Sequence, residues 1–354
     1  MPGTTIPPFP DDVPTVPLLV IDYELIKAKN KIEIDRLWEA ATTLGFWYLK
    51  NHGADEAVAG MFEMGAETMA LPLEEKMKFE QGNEGMSFGY KAAGANATDE
   101  TGVPDCIEFI NVAKDDALAY PAPRVRTYPS TVNSRMERTI APFVRQSMEI
   151  NDALLEVFNE RLGLPAGALA KLHPLEELSG CEARTIRNPK NQEMPQDKAA
   201  IGAHTDFGTL SFLHHQRLGG LQVLPPGAEE WKYVKPLPGH AICNAGDTLA
   251  IFSGGIIRSN LHRVVPPPKA QAAFERWSVV FFTRPGFSQV LQPLSDQSAL
   301  IAAAAAAAEP GQFDKGGTAG EWYARRIKLQ RLANRTGPET WKASRGTEYR
   351  PDYA

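Results

Sequence analysis

Between residues 182 and 282 the chain is cut into β-prone runs too short for helices. They lie at residues 199–204, 210–213, 221–224, 231–234, 241–244, 249–252, 260–265 and 276–282. Turn residues separate them: Gly219-Gly220, Pro225-Pro226-Gly227, Pro238-Gly239, Gly246-Asp247, Gly254-Gly255 and Pro266-Pro267-Pro268. Glycine supplies positive φ and proline presets a bend, so each cluster closes one run before the next begins. Many short strands at regular spacing predict a sandwich or a double-sheet barrel.

The flanks follow a different rhythm. Residues 18–21 read as a short strand, and Ile34, Leu37, Trp38, Ala41 and Leu44 then recur at helical spacing up to Gly45. Residues 46–49 form a buried strand closed by Asn51-His52-Gly53, after which Val58, Met61, Phe62 and Met69 mark one face of a second helix. Residues 81–101, dense in Gly, Asn, Ala and Asp, predict a loop or lid. Ile140, Phe143, Val144, Leu154, Leu155, Phe158 and Leu162 predict a long amphipathic helix, stopped by Gly163-Leu164-Pro165 and able to support a sheet. In the tail, the alanine run 302–308 predicts a surface helix ended by Pro310, and Thr318 with Glu321 predicts a capping box for a helix through Asn334. Arg325, Arg326, Lys328, Arg331 and Arg335 on that last helix read as a solvated face, because no aromatic platform accompanies them. The expected class is α+β with a mainly β core. An N-terminal helix-and-strand region (1–125) covers the mouth of the core, a support helix and β core follow (126–290), and a helical extension completes the chain (291–354).

Composition narrows the partners. With 354 residues and 43% hydrophobic content the chain can bury a sizeable core, and its formal charge of -6 offers no general attraction to phosphate backbones or anionic lipid. Nucleic acid and membrane are therefore not expected as partners; a small molecule is, with the protein a monomer or weak dimer. No apolar run approaches the ~20 residues that span a bilayer. The opening residues 1–17 are proline-rich and acidic, unlike a secretory leader, which predicts a cytoplasmic protein. Cys106, Cys181 and Cys243 are odd in number and widely spaced, so they read as small hydrophobes and not as a disulfide frame or a thiolate zinc site.

The stretch Ile201-Gly202-Ala203-His204-Thr205-Asp206 carries the first chemical signal. Side chains alternate along a strand, so His204 and Asp206 project from one face and can reach a single metal ion. His262, within Ser259-Asn260-Leu261-His262-Arg263-Val264, is the best candidate for a third ligand. Two imidazoles and one carboxylate on one side of a metal leave positions open opposite, the facial arrangement of iron(II) oxygenases. Zinc fits less well, because the helical HExxH pattern is absent. His52 belongs to a turn motif, and His173, His214, His215 and His240 have no metal-partner pattern. The second signal is Arg276-Trp277-Ser278: by the same alternation it offers a guanidinium fork and a hydroxyl to a dicarboxylate.

At this point the chain resembles the isopenicillin N synthase-like branch of the iron(II)/2-oxoglutarate-dependent dioxygenases. The likeness extends to Leu44-Gly45-Phe46-Trp47-Tyr48-Leu49-Lys50-Asn51-His52-Gly53, Leu71-Pro72-Leu73-Glu74-Glu75-Lys76, Gly220-Leu221-Gln222-Val223-Leu224 and Asn244-Ala245-Gly246-Asp247-Thr248-Leu249, in order across residues 17–285. The resemblance implies a distorted double-stranded β-helix, a jelly-roll, flanked by helices. It implies that His204, Asp206 and His262 bind Fe(II), that Arg276 and Ser278 hold the distal carboxylate of 2-oxoglutarate, and that dioxygen is consumed with release of succinate and carbon dioxide. One position departs from the pattern. Where the family often carries a tyrosine before a proline, this chain has Asn188 before Pro189, leaving Asn188 or Arg187 as the further cosubstrate contact.

Continuing the alternation from Ser278 places Val280, Phe282 and Arg284 on the inward face towards the mouth. Phe282 is the expected aromatic wall of the substrate pocket, with Phe207, Leu210, Phe109 and Arg284 as further candidates. By family analogy the substrate is a small, secondary metabolite, altered by hydroxylation, desaturation or demethylation. Two alternatives stand beside this reading: an iron oxidase of the same fold that needs no 2-oxoglutarate, and a non-catalytic metabolite-binding protein.

Overall fold

The computed structural model describes residues 6–190, 199–313 and 316–347. The strands are β1 (Val20–Asp22), β2 (Phe46–Lys50), β3 (Gly89–Lys91), β4 (Glu108–Ala113), β5 (Glu182–Asn188), β6 (Ile201–His204), β7 (Leu210–His215), β8 (Leu221–Val223), β9 (Lys232–Tyr233), β10 (His240–Ala245), β11 (His262–Val264) and β12 (Arg276–Phe282). Eight of them form a large sheet in the order β1-β2-β10-β7-β12-β5-β4-β3, and four form a smaller one, β6-β11-β8-β9. This is the jelly-roll arrangement. Strands β1 to β4, all from the first 125 residues, extend the large sheet at both edges.

Alternation decides what each face of the large sheet meets. Phe46 and Tyr48 of β2, Ile242 of β10 and Val280 of β12 pack between the sheets with Leu221, Val223 and Val264 of the smaller sheet. Their neighbours Trp47, Leu49, Cys243, Val279 and Phe281 face the opposite way, into the helical layer. There the helix Ala141–Arg161 sets Phe143 edge-on against Phe281 at 6.0 Å and Phe158 edge-on against Trp47 at 6.2 Å. Each buried phenylalanine of this kind stabilises by roughly 1.5–3 kcal/mol. The helix ends as its sequence predicts, with Gly163 at φ +66°. Gly45 ends the helix Lys31–Thr43 similarly, at φ +75°, and a Cβ there would collide with the Arg258 carbonyl oxygen.

Three expectations are corrected. Residues 249–252 are not a strand but part of the helix Asp247–Phe252, all of it buried. A short run that is apolar on every side has no periodicity to separate the two states. Residues 81–101 are not a featureless loop: they hold β3, with Phe88, Tyr90 and Lys91 buried. Lys91 is ion-paired with Asp105 and donates to the Ile107 carbonyl at 2.8 Å. Nor is the arginine stripe of the helix Ala319–Gln330 wholly solvated, since Arg326 and, just past its end, Arg331 are buried against Asp247 and Glu80. The capping box of Thr318 and Glu321 forms as expected. The alanine run forms the helix Ala299–Ala307, with Ile301 buried. Among the described residues no helix is long and apolar enough to cross a membrane.

One buried histidine gives the fold a predictable acid response. His173 is enclosed, with Nδ1 2.8 Å from the Leu169 carbonyl and Nε2 2.7 Å from the Thr209 hydroxyl. Burial pulls its imidazole down from 6.5 to about 4, despite the Leu169 carbonyl favouring the charged form. Between those two values the unfolded chain binds the proton and the folded protein does not. Stability attributable to this residue is complete above the unfolded value and is lost as pH falls, to the extent of about 3 kcal/mol. Urea unfolding of His173→Gln between pH 7 and 4.5 is expected to show a shallower loss than the wild type; parallel slopes would mean another group titrates.

Candidate active site

His204 is the last residue of β6, and His262, the first of β11, is its direct cross-strand partner. Asp206 lies just beyond the end of β6, not within the strand, yet its Oδ1 is 3.6 Å from both His204 Nε2 and His262 Nε2. One ligand atom from each of the three residues falls within 4.8 Å of the others. His204 Nδ1 is 2.8 Å from the Gly202 carbonyl, and His262 Nδ1 is 3.1 Å from the Asn260 carbonyl. A carbonyl only accepts, so each Nδ1 carries the proton and each Nε2 turns its lone pair to the shared centre. Burial and then the neighbouring His262 lower the affinity of His204 for a proton. Burial alone would raise Asp206, but His262 and His204 hold its carboxyl well below the usual range. Against the opposing effect of burial, Asp206 conversely raises the affinity of His262 for a proton, so a cation arriving at the trio takes the place of that proton.

The other Asp206 oxygen is held from behind. Oδ2 accepts from the Ser211 hydroxyl at 2.5 Å and from Asn244 Nδ2 at 2.9 Å. Ser211 and Asn244 are cross-strand partners on β7 and β10, so the large sheet orients a candidate ligand carried just past a strand of the smaller one. The Asp206 carbonyl accepts from the Asp247 backbone N–H at 2.7 Å. The Asp247 carboxylate in turn accepts from Arg326 Nη1 at 2.5 Å, the Thr205 hydroxyl at 3.1 Å and the Thr347 hydroxyl at 2.9 Å. Arg326 Nη2 donates to the Thr205 carbonyl at 2.9 Å, tying the C-terminal helix to the turn between His204 and Asp206.

Arg276 and Ser278 face the same cavity from β12. The Arg276 Nε donates to the Gly219 carbonyl at 2.9 Å, and among the described residues no carboxylate pairs with its guanidinium. Burial lowers the group to about 10, which still leaves it charged at neutral pH. The Ser278 hydroxyl is buried without a hydrogen-bond partner among the described residues. A buried unpaired cation beside an unsatisfied hydroxyl is costly unless an anion completes it. The two residues therefore fit a carboxylate. Asn188 sits opposite Arg276 on β5, but its Oδ1 accepts from the Cys106 thiol at 3.6 Å. Arg187 is corrected. It points to the other face, where Glu275 and Glu108 engage its guanidinium at 2.7 and 2.9 Å, and it does not line the cavity.

Towards the mouth, Phe282, Phe207, Phe109 and Arg284 line the cavity as expected. Leu210 does not: strand alternation turns it into the helix-side core, and Ser211 and Leu213 face inward instead. Two further features escaped the sequence reading. Arg184 reaches in from β5, its guanidinium 4.1 Å from the Phe109 ring centroid and 4.8 Å from that of Phe282. Glu182 Oε1 pairs with both Arg184 and Arg284, at 2.7 and 3.2 Å. The C-terminal extension also supplies a wall of Gln330, Trp341 and Arg345, joined to the loop of Asn96 and Ala97 where the Ala97 N–H donates to the Gln330 carbonyl at 3.1 Å. Thr98 comes so close to β6 that a Cβ on Gly202 would collide with its carbonyl oxygen.

Residues 184–285 match the 2OG-Fe(II) oxygenase superfamily, and residues 18–132 match the N-terminal family described as non-haem dioxygenase in morphine synthesis. The 2-oxoglutarate-dependent dioxygenase frbH of Dothideomycetidae sp. is 30% identical over 280 residues, covering 75% of this chain and 81% of that protein. The chain belongs to the 2OG-Fe(II) oxygenase superfamily. This dioxygenase is also similar to a homoarginine-6-hydroxylase of Oryza sativa subsp. japonica, at 28% identity over 78% of this chain and 84% of the relative. Its fold is shared with a full-length Neurospora crassa protein solved in complex with alpha-KG, at TM-score 0.70 and 23% identity, covering 90% of this chain and 97% of that one. It is shared as well with a 2OG-Fe(II) oxygenase family protein of Caulobacter crescentus, at TM-score 0.71 and 22% identity, covering 89% and 99%. The dioxygenase is accordingly an oxidoreductase using Fe(II), 2-oxoglutarate and dioxygen.

Arg184 and Ser211 lie in strands whose alternation was readable, so an inward position could have been assigned to them. The wall from residues 330–345 carried no such signal, because only the tertiary fold brings it to the mouth.

Proposed function

We propose that His204 Nε2, Asp206 Oδ1 and His262 Nε2 hold the iron, that Arg276 and Ser278 receive the distal carboxylate of 2-oxoglutarate, and that a small organic metabolite lies against Phe282. The observation that carries this reading is the shared orientation: three metal-capable donors at the ends of β6 and β11 and, from β12 of the other sheet, a guanidinium with no carboxylate partner among the described residues face one cavity. Bound iron, cosubstrate and dioxygen supply the oxidising power, with succinate and carbon dioxide released as a substrate C–H bond is oxidised. The chain's own part is to orient and to exclude water. Asn244 and Ser211 keep the second oxygen of Asp206 occupied, which leaves Oδ1 for the metal. The expected outcomes, hydroxylation, desaturation or demethylation, share removal of a hydrogen from carbon and diverge with substrate pose.

The mouth supports a substrate with a planar or apolar body and an acidic or strongly accepting group. Phe109, Phe207 and Phe282 provide apolar walls, and two guanidiniums share the single carboxylate of Glu182, leaving excess positive charge there. Anaerobic reconstitution with iron and 2-oxoglutarate, followed by a metabolite screen read by succinate release, tests the proposal. Substrate turnover without succinate would instead favour the cosubstrate-independent oxidase. With a substrate in hand, Phe282→Ala is expected to raise its apparent KM about tenfold, the cost of removing one aromatic wall. Binding of 2-oxoglutarate should stay unchanged, and an unaltered KM would remove Phe282 from the pocket.

A further inference from the structure

On β7 the inward residues are Ser211, Leu213 and, continuing the same alternation, His215. The register with β12 pairs Phe282 with Ser211, Val280 with Leu213 and Ser278 with His215. Directly opposed residues in an antiparallel pair share a face, with Cβ atoms ~4.5–5.5 Å apart. His215 is therefore the immediate neighbour of Ser278 and lies diagonal to Arg276. Its Nδ1 accepts the Arg217 backbone N–H at 3.2 Å, which puts the ring proton on Nε2. That Nε2 is buried and has no hydrogen-bond partner among the described residues. Burial and the Arg276 charge bring the imidazole down to about 4, so it is a neutral donor at physiological pH.

Three donor groups then stand on one face of β12 and β7: the Arg276 guanidinium, whose Nε donates to the Gly219 carbonyl, and the Ser278 hydroxyl and His215 Nε2–H, neither of which has an acceptor among the described residues. The position where the family often carries a tyrosine is Asn188, whose carboxamide oxygen accepts from Cys106. Asn188 flanks β12 from β5, and His215 flanks it from β7. We infer that His215 donates from Nε2 to the distal carboxylate of 2-oxoglutarate, supplying from β7 the third contact that a tyrosine on β5 supplies elsewhere. This assignment rests on the reading of Arg276 and Ser278 as the cosubstrate's carboxylate site.

The test is calorimetric binding of 2-oxoglutarate and of 2-oxopentanoate, which lacks the distal carboxylate, to the full chain loaded with Fe(II) without oxygen. His215→Phe, which keeps a ring without a donor, is expected to weaken 2-oxoglutarate binding about tenfold or more. It should leave 2-oxopentanoate binding unchanged, and His215→Gln, which restores an N–H, should recover most of the loss. His215→Leu serves as a second variant should the phenylalanine not fit. Unchanged 2-oxoglutarate affinity, or an equal loss for both ligands, overturns the role of His215. Arg276→Leu separates the two levels: if it binds 2-oxoglutarate like the wild type, the carboxylate site itself is misplaced, and if it alone loses affinity, only His215 is wrong.

Discussion

Iron-dependent succinate formation is expected to fall about a thousandfold or more in His262→Ala, with iron affinity falling at least a hundredfold, more than when an outer-shell partner is lost. The variant leaves His204 and Asp206 as the remaining donors of the trio. It also strips the Asp206 carboxylate of the neighbour that most strongly favours its charged form. The site would then bind metal weakly and with an extra exchangeable position, a poor platform for ordered cosubstrate and oxygen. Anaerobic iron titration gives the first readout and succinate release the second. Partial recovery by added imidazole would mark the effect as a missing ligand. Full iron stoichiometry at wild-type affinity would break the assignment of His262.

The second large effect is on stability. Arg326→Ala is expected to destabilise the fold by about 3–5 kcal/mol, because it leaves a buried carboxylate without its cation. The side chains of Arg326 and Asp247 are 1% and 0% exposed, so solvent offers no substitute partner. Thr205 and Thr347 hydroxyls would be left to solvate the charge. Iron affinity should weaken too, since Asp247 and Arg326 both brace the backbone between His204 and Asp206. Urea unfolding measures the loss. The paired replacement Arg326→Met with Asp247→Leu should recover much of it, because it removes both charges and keeps apolar volume. A single-variant loss under about 1 kcal/mol would contradict the buried-pair account.

How much was readable depended on whether a residue's role is local. Strand alternation carried His204, Arg276, Ser278, Val280 and Phe282 to the correct face, because a period of two survives in any sheet. The candidates Leu210 and Arg187 do not come from this alternation; each lies one position from an inward residue, Ser211 and Ile186, so it turns both to the other face. The helix Asp247–Phe252 was unreadable because burial on all sides erases periodicity. Lys91, Arg326 and Arg331 misled for a different reason. Charged residues are seldom buried without partners, and Asp105, Asp247 and Glu80 lie far from them or give no sequence cue. The convergence of His262 on His204 was expected from chemistry, but the strand pairing that achieves it belongs to the tertiary fold.

The wall contributed by Gln330, Trp341 and Arg345 stands more than sixty positions beyond the last metal-ligand candidate, His262. Part of the mouth is thereby built from a stretch of polypeptide separate from the candidate metal ligands. Exchange of Gln330 or Trp341 between relatives would redraw which molecules are admitted, whereas Arg345 and Thr347, which hold the Ala203 carbonyl and Asp247, tie the same segment to the oxidising centre and limit how freely it can be traded.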